Sequence, residues 1–129
     1  MAKVAVSSQG KGLESQVDPR FGRAAYFLVV DTETMDTVVL DNNQARNMSH
    51  GAGIQAAELV SRAGAEAVLS GFVGPKAMDA LQAAGLAVYQ DVAGVVDEAV
   101  RQYARGELKP STEANGMPVP GGGRGSDRR

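Results

Sequence analysis

Three segments beyond residue 55 carry apolar residues on a single helix face, and each of them stops at a glycine. Ala56, Leu59, Val60 and Ala63 precede Gly64; Ala77, Met78, Leu81 and Ala84 precede Gly85; Val96, Ala99, Val100 and Tyr103 precede Gly106. Such a stripe is the buried face of an amphipathic helix, and glycine closes a helix because it accepts the left-handed conformation found there. Between the stops lie Ala67-Val68-Leu69-Ser70 and Leu86 to Gln90, short apolar runs that suit strands of a buried parallel sheet. Pro75 is placed as the first residue of the second helix, where its missing N–H leaves no bond unmade.

The first half reads as strands. Lys3 to Ser7 alternates around β-branched valines, and Ser8-Gln9-Gly10-Lys11-Gly12 ends that run with turn chemistry. Tyr26 to Val30 and Thr37 to Leu40 are separated by the polar Asp31 to Asp36, a connection short enough for an antiparallel hairpin. The element order is therefore βββαβαβα, an α/β fold on a mixed five-stranded sheet. One compact domain is expected over residues 1–108, since 129 residues with 43% hydrophobic content suit a single core. Residues 109–129 hold Pro110, Pro118, Pro120 and the run Gly121-Gly122-Gly123, too little apolar surface to offset chain entropy, and are predicted to be disordered.

A formal net charge of -2 speaks against the broad basic face that nucleic-acid binding needs. With no cysteine, disulfides, thiolate-held clusters and cysteine nucleophiles are excluded. The first residues lack a signal-like apolar region, and no stretch approaches the roughly 20 apolar residues of a membrane span. A cytoplasmic protein with neither nucleic-acid nor membrane partners is expected.

Alternating directions in the first three strands and right-handed crossovers through the helices would bring four loops to one sheet edge. These are Ser7 to Gly12, Pro19 to Arg23, Asn43 to Gly53 and Gly71 to Gly74. In open α/β sheets that edge is the common ligand crevice. Two helix starts with glycines, at Gly51 and Gly53 and at Gly71 and Gly74, present unpaired N–H groups and a positive dipole end to an anion. Arg20, Arg23 and Arg46 add charge, Phe21 and Phe72 add apolar walls, and Ser8, Met48 and His50 add soft or hydrogen-bonding groups beside Gly22. That mixture suits a large, soft polyanion better than a plain phosphate. Neither glycine pair completes a phosphate loop or a dinucleotide fingerprint. The same residues also fit ordinary duties: turn glycines, core phenylalanines, solvated arginines, a capping histidine and a packing methionine.

Three motifs in this order, Asp18-Pro19-Arg20-Phe21-Gly22-Arg23-Ala24, Ser49-His50-Gly51-Ala52-Gly53 and Ser70-Gly71-Phe72-Val73-Gly74-Pro75, resemble the dinitrogenase iron-molybdenum cofactor biosynthesis family. The likeness spans about Lys3 to Leu108. That family includes the NifX and NafY carriers, the carboxy-terminal domain of NifB and the orange protein of sulfate reducers, on a ribonuclease-H-like sheet. The resemblance implies a non-catalytic carrier of an anionic metal-sulfur cluster, passed between donor and acceptor proteins. A molybdenum-copper sulfide is the first expectation for so short a chain, with an iron-molybdenum cofactor precursor as the alternative. It also implies His50 as a direct metal contact. The fold suggests a two-metal nuclease as a rival, but the first strand carries no carboxylate, and Asp18, Asp31 and Asp41 show no convergence. A nucleotide- or small-anion-binding regulatory module and a ligand-free interaction domain remain as further readings.

Overall fold

The computed structural model describes residues 2–111. Its elements are β1 (Lys3–Ser8), β2 (Tyr26–Asp31), β3 (Thr37–Asp41), α1 (Asn43–Arg46), α2 (Ala52–Arg62), β4 (Ala67–Leu69), α3 (Pro75–Ala83), β5 (Ala87–Tyr89) and α4 (Val96–Ala104). The strands form one mixed sheet in the order β3-β2-β1-β4-β5, a ribonuclease-H-like arrangement. β1 pairs antiparallel to β2, with Ala5 opposite Val29, and parallel to β4, with Ala5 opposite Val68.

Strand alternation divides the interior into two cores, one on each face of the sheet. Ala5, Phe27, Val29, Val68 and Val88 point to one face, where Ala56 and Val60 of α2 and Met78 and Leu81 of α3 cover them. Val4, Val6, Leu28, Val30 and Leu69 point to the other, where Val96, Ala99 and Val100 of α4 cover them. The central strands β1 and β2 are thus buried on both faces, and each fully buried valine or leucine contributes about 1.5–3 kcal/mol. β3, at the edge, is mostly exposed.

The glycines expected to stop the helices do so: Gly64, Gly85 and Gly106 have φ of 85°, 85° and 74°. Pro75 opens α3 as expected. Two expectations need correction. α1 is a single turn, too short to leave a periodic signature, so an extra helix precedes the first expected one. Ala84 lies past the end of α3 and is exposed rather than on its inner face. At the other end of the chain, the Ser111 N–H donates to the Val88 carbonyl at 2.6 Å, three residues beyond the expected domain boundary at 108. The disorder expected of the tail concerns, from residue 112 on, positions outside the described residues.

Candidate anion-binding cleft

β1, β3, β4 and β5 all end, and β2 begins, at one edge of the sheet, so the loops that follow them meet there. Three backbone segments come together with nothing larger than a methyl group between them. A Cβ on Gly22 would stand 3.0 Å from the Gly53 Cα and nitrogen, and a Cβ on Gly53 would stand 2.9 Å from the Ala77 Cβ. The β1–β2 loop, the start of α2 and the start of α3 therefore stack directly. Asn42 holds the first of them, donating through Nδ2 to the carbonyls of Gly22 (3.3 Å) and Ala24 (2.9 Å). Gly71 serves a similar close approach, since a Cβ there would fall 2.7 Å from the Pro19 carbonyl oxygen.

Above this stack opens a cleft of about 680 Å³, lined among others by Arg20, Arg23, His50, Phe72, Gly74 and Lys76. Its floor includes two helix starts without side-chain caps and without an acidic residue in the first turn. Gln55 is the first α2 residue whose N–H reaches a backbone acceptor, the Gly51 carbonyl at 3.0 Å; in α3 it is Met78, bonded to Gly74 at 2.9 Å. The amides before them have no backbone partner among the described residues. α4 differs, because its first amides donate to Ser15 and Leu13 and its first turn carries Asp97 and Glu98. Two positive dipole ends therefore face the cleft.

Gly51 caps α2 with φ 79°, a conformation that disfavours any side chain. Gly74 has no such reason to be glycine. Its φ is -71°, and an added Cβ would meet nothing within 4 Å, so neither backbone conformation nor packing calls for glycine there.

Nine of the anticipated residues line the cleft: Arg20, Phe21, Gly22, Arg23, His50, Gly51, Gly53, Phe72 and Gly74. Their duties differ. Phe21 is 1% exposed and packs on Phe27 at 5.0 Å between centroids, so it is chiefly a core residue, whereas Phe72 stands 43% exposed at the rim. The two are tied by the Phe21 N–H to the Phe72 carbonyl at 3.0 Å. Arg23 donates through Nη1 to the carbonyls of Arg46 (2.8 Å) and Met48 (2.7 Å), which pins the loop carrying His50. Arg20 lies 3.8 Å from the buried Asp18 carboxylate and keeps its side chain largely in solvent. The His50 imidazole has no hydrogen bond among the described residues.

Ser8, Met48 and Gly71 do not line the cleft, and Arg46 does not either. Ser8 is buried and uses its hydroxyl on its own turn, donating to the Gly10 carbonyl at 2.7 Å. Met48 lies against Gly51, its methyl 3.7 Å from where a Cβ would sit. Sequence reasoning missed Lys76, the residue after the helix-opening proline, which lines the cleft as its third cation beside the arginines. The signal was there: the second position of a helix that starts at a crevice holds its side chain at the mouth. Among the described residues, no aspartate or glutamate lines the cleft. Among the described residues, no group of three or more His, Asp or Glu comes together to chelate a metal ion.

The chain is thus a three-layer α/β domain with a cationic, amide-floored cleft at its strand ends. The chain belongs to the dinitrogenase iron-molybdenum cofactor family, whose model matches residues 2–106. Its fold superposes on the apo form of the orange protein from Desulfovibrio gigas with a TM-score of 0.86 and 47% identity, over 89% of this chain and 97% of that one. A putative NifB protein from Thermotoga matches with a TM-score of 0.75 and 38% identity, over 87% and 95% of the two chains. An uncharacterized protein of Methanocaldococcus jannaschii is 30% identical over 97 residues, 74% of this chain and 82% of that protein. Among the described residues, no helix is long and apolar enough to cross a membrane.

Proposed function

We propose that this protein binds and carries an anionic metal-sulfur cluster in the cytoplasm, without catalytic turnover, and passes it between donor and acceptor proteins. One observation carries the reading: Arg20, Arg23 and Lys76 surround two uncapped helix starts in a cleft that, among the described residues, no carboxylate lines. Such a cleft sits on a chain whose formal charge is -2, so the positive lining is local rather than a property of the whole surface. Its volume falls within the roughly 300–1,000 Å³ of sites for sizeable small molecules, far more than a single phosphate needs.

Sulfide-rich clusters spread negative charge over large polarisable surfaces. Backbone N–H groups and guanidinium or ammonium donors hold such surfaces without ligating the metal. The cysteine-free chain suits this outer-sphere mode, with His50 as the one proposed inner-sphere contact. The 47% identity to the apo orange protein supports the molybdenum-copper sulfide over the iron-molybdenum precursor.

Anaerobic titration with tetrathiomolybdate and copper, followed by gel filtration and metal analysis, tests this. Stoichiometric co-elution of both metals, weakened in Lys76→Ala and His50→Ala, is the expected result. A folded protein that elutes free of metal would overturn the molybdenum-copper assignment.

A further inference from the structure

At the far end of the sheet from the cleft, a second surface lies open. The Asp31 N–H donates to the Asp36 carbonyl at 2.9 Å, and the Asn42 N–H donates to Ala25 at 3.1 Å. In an antiparallel ladder these bonds alternate along the strand, so the even-numbered residues of β3 turn their backbone to β2. The backbone groups of Thr37, Val39 and Asp41 point outward, and no partner meets them among the described residues. Beside this edge runs a groove of about 480 Å³, floored by Val29, Val38, Leu40 and Ala63. Val38 and Val39 are 59% and 41% exposed, the former the most exposed large apolar side chain described. The groove runs past Ala63, the residue that caps the end of α2.

The polar rim of the groove is mainly acidic. Asp31 and Asp36 line it, with Lys3 the sole cation among the described residues, while Glu33 and Asp41 stand exposed along the same hairpin. None of these four carboxylates has an ion-pair partner within 4 Å among the described residues. Edge strands left this way invite another strand, and natural proteins commonly block them.

We infer that the β3 edge is a docking groove for an extended, basic segment of a partner protein, which joins the sheet as a further strand. Alternate side chains of that strand enter the groove over Val38 and Leu40, and its cations face Asp31 and Asp36. A second copy of this chain fits less well, since it would bring another acidic rim along a strand of five residues. The groove lies at the start of β1 and the end of β2, opposite the cleft, so the partner leaves the cleft mouth open. The inference does not depend on what the cleft holds.

The test uses the full chain and an acetylated eight-residue peptide in which valine alternates with lysine and arginine, beside a counterpart with glutamate at the cationic positions. The basic peptide should bind saturably, shifting the amide resonances of Thr37, Val39 and Asp41. Asp36→Lys should weaken it about tenfold or more, as should Val39→Pro, which removes an N–H outside the β2 ladder. Should Val39→Pro fail to fold, Asp36→Lys carries the test. Absence of saturable binding, equal binding of the two peptides, or shifts confined to the cleft would each overturn the proposal.

Discussion

Gly22 and Gly74 both line the cleft, yet the chain needs them for opposite reasons. A methyl on Gly22 would press on the Gly53 backbone at 3.0 Å, and backbone cannot swing aside as a flexible side chain can. Gly22→Ala is expected to destabilise the fold by about 1–3 kcal/mol, seen as a lower midpoint in thermal or urea unfolding. Gly74→Ala meets nothing within 4 Å and keeps an ordinary φ, so its stability should stay within about 0.5 kcal/mol of the parent. Its cluster retention should fall, because the methyl would stand over the start of α3. Loss of stability in Gly74→Ala, or retention equal to the parent, would contradict the division of roles between these residues. Arg23 allows a similarly sharp test. Its Nη1 bridges two carbonyls at 2.8 and 2.7 Å and leaves the other guanidinium N–H groups for the cleft, a reach and division of donors that the shorter, single-nitrogen lysine side chain does not match. Arg23→Lys keeps the charge and loses the bridge. If the bridge is what matters, hydrogen exchange of the Asn47 to His50 amides should quicken equally in Arg23→Lys and Arg23→Ala. If only Arg23→Ala changes, charge alone is the residue's contribution.

At the level of elements, the strands and long helices could be read from the sequence because each leaves a period. The valines of β1 alternate, the stripes of α2, α3 and α4 run at helical spacing, and the closing glycines mark their ends. α1 left no trace, since four residues cannot complete a stripe. The cleft was legible in outline for the same reason that its details were not. Topology dictates which loops meet, and so nine of thirteen anticipated residues line it. What a side chain does inside a loop depends on turns that have no periodic code. Ser8 turned back on Gly10, Met48 turned toward Gly51, and Gly71 answered the approach of Pro19. Lys76 escaped notice because it sits on a helix whose apolar stripe drew attention to the opposite face. The cationic lining makes one prediction at this scale. Retention of an anionic cargo held by exposed charges and helix dipoles should weaken as salt rises, whereas direct ligation to His50 would be nearly insensitive to it. Gel filtration of the loaded protein at low and high ionic strength separates the two.

For the molecule as a whole, acid stability should be set in part by the β2–β3 hairpin. The N–H of Glu33 at 2.8 Å and then that of Thr34 at 3.2 Å hold the Asp31 carboxyl below the usual carboxylate range. A carboxyl with a folded value below its unfolded one contributes stability that is complete above the unfolded value, about pH 4, and is lost as pH falls through the folded value. Thermal unfolding between neutral pH and pH 2 should therefore show a smaller acid-induced drop in Asp31→Asn than in the parent. An identical drop in both would place the acid sensitivity elsewhere. The single bond from Ser111 to Val88 bears on how many copies of this chain can ever join through their sheets. Among the described residues, the outer side of β5 is met at Val88 by the chain's own continuation, whereas the outer side of β3 is met by none. A brick with mortar on one end can be laid against one neighbour but cannot start a wall, and a sheet so finished can accept one added strand without becoming a link in a fibre.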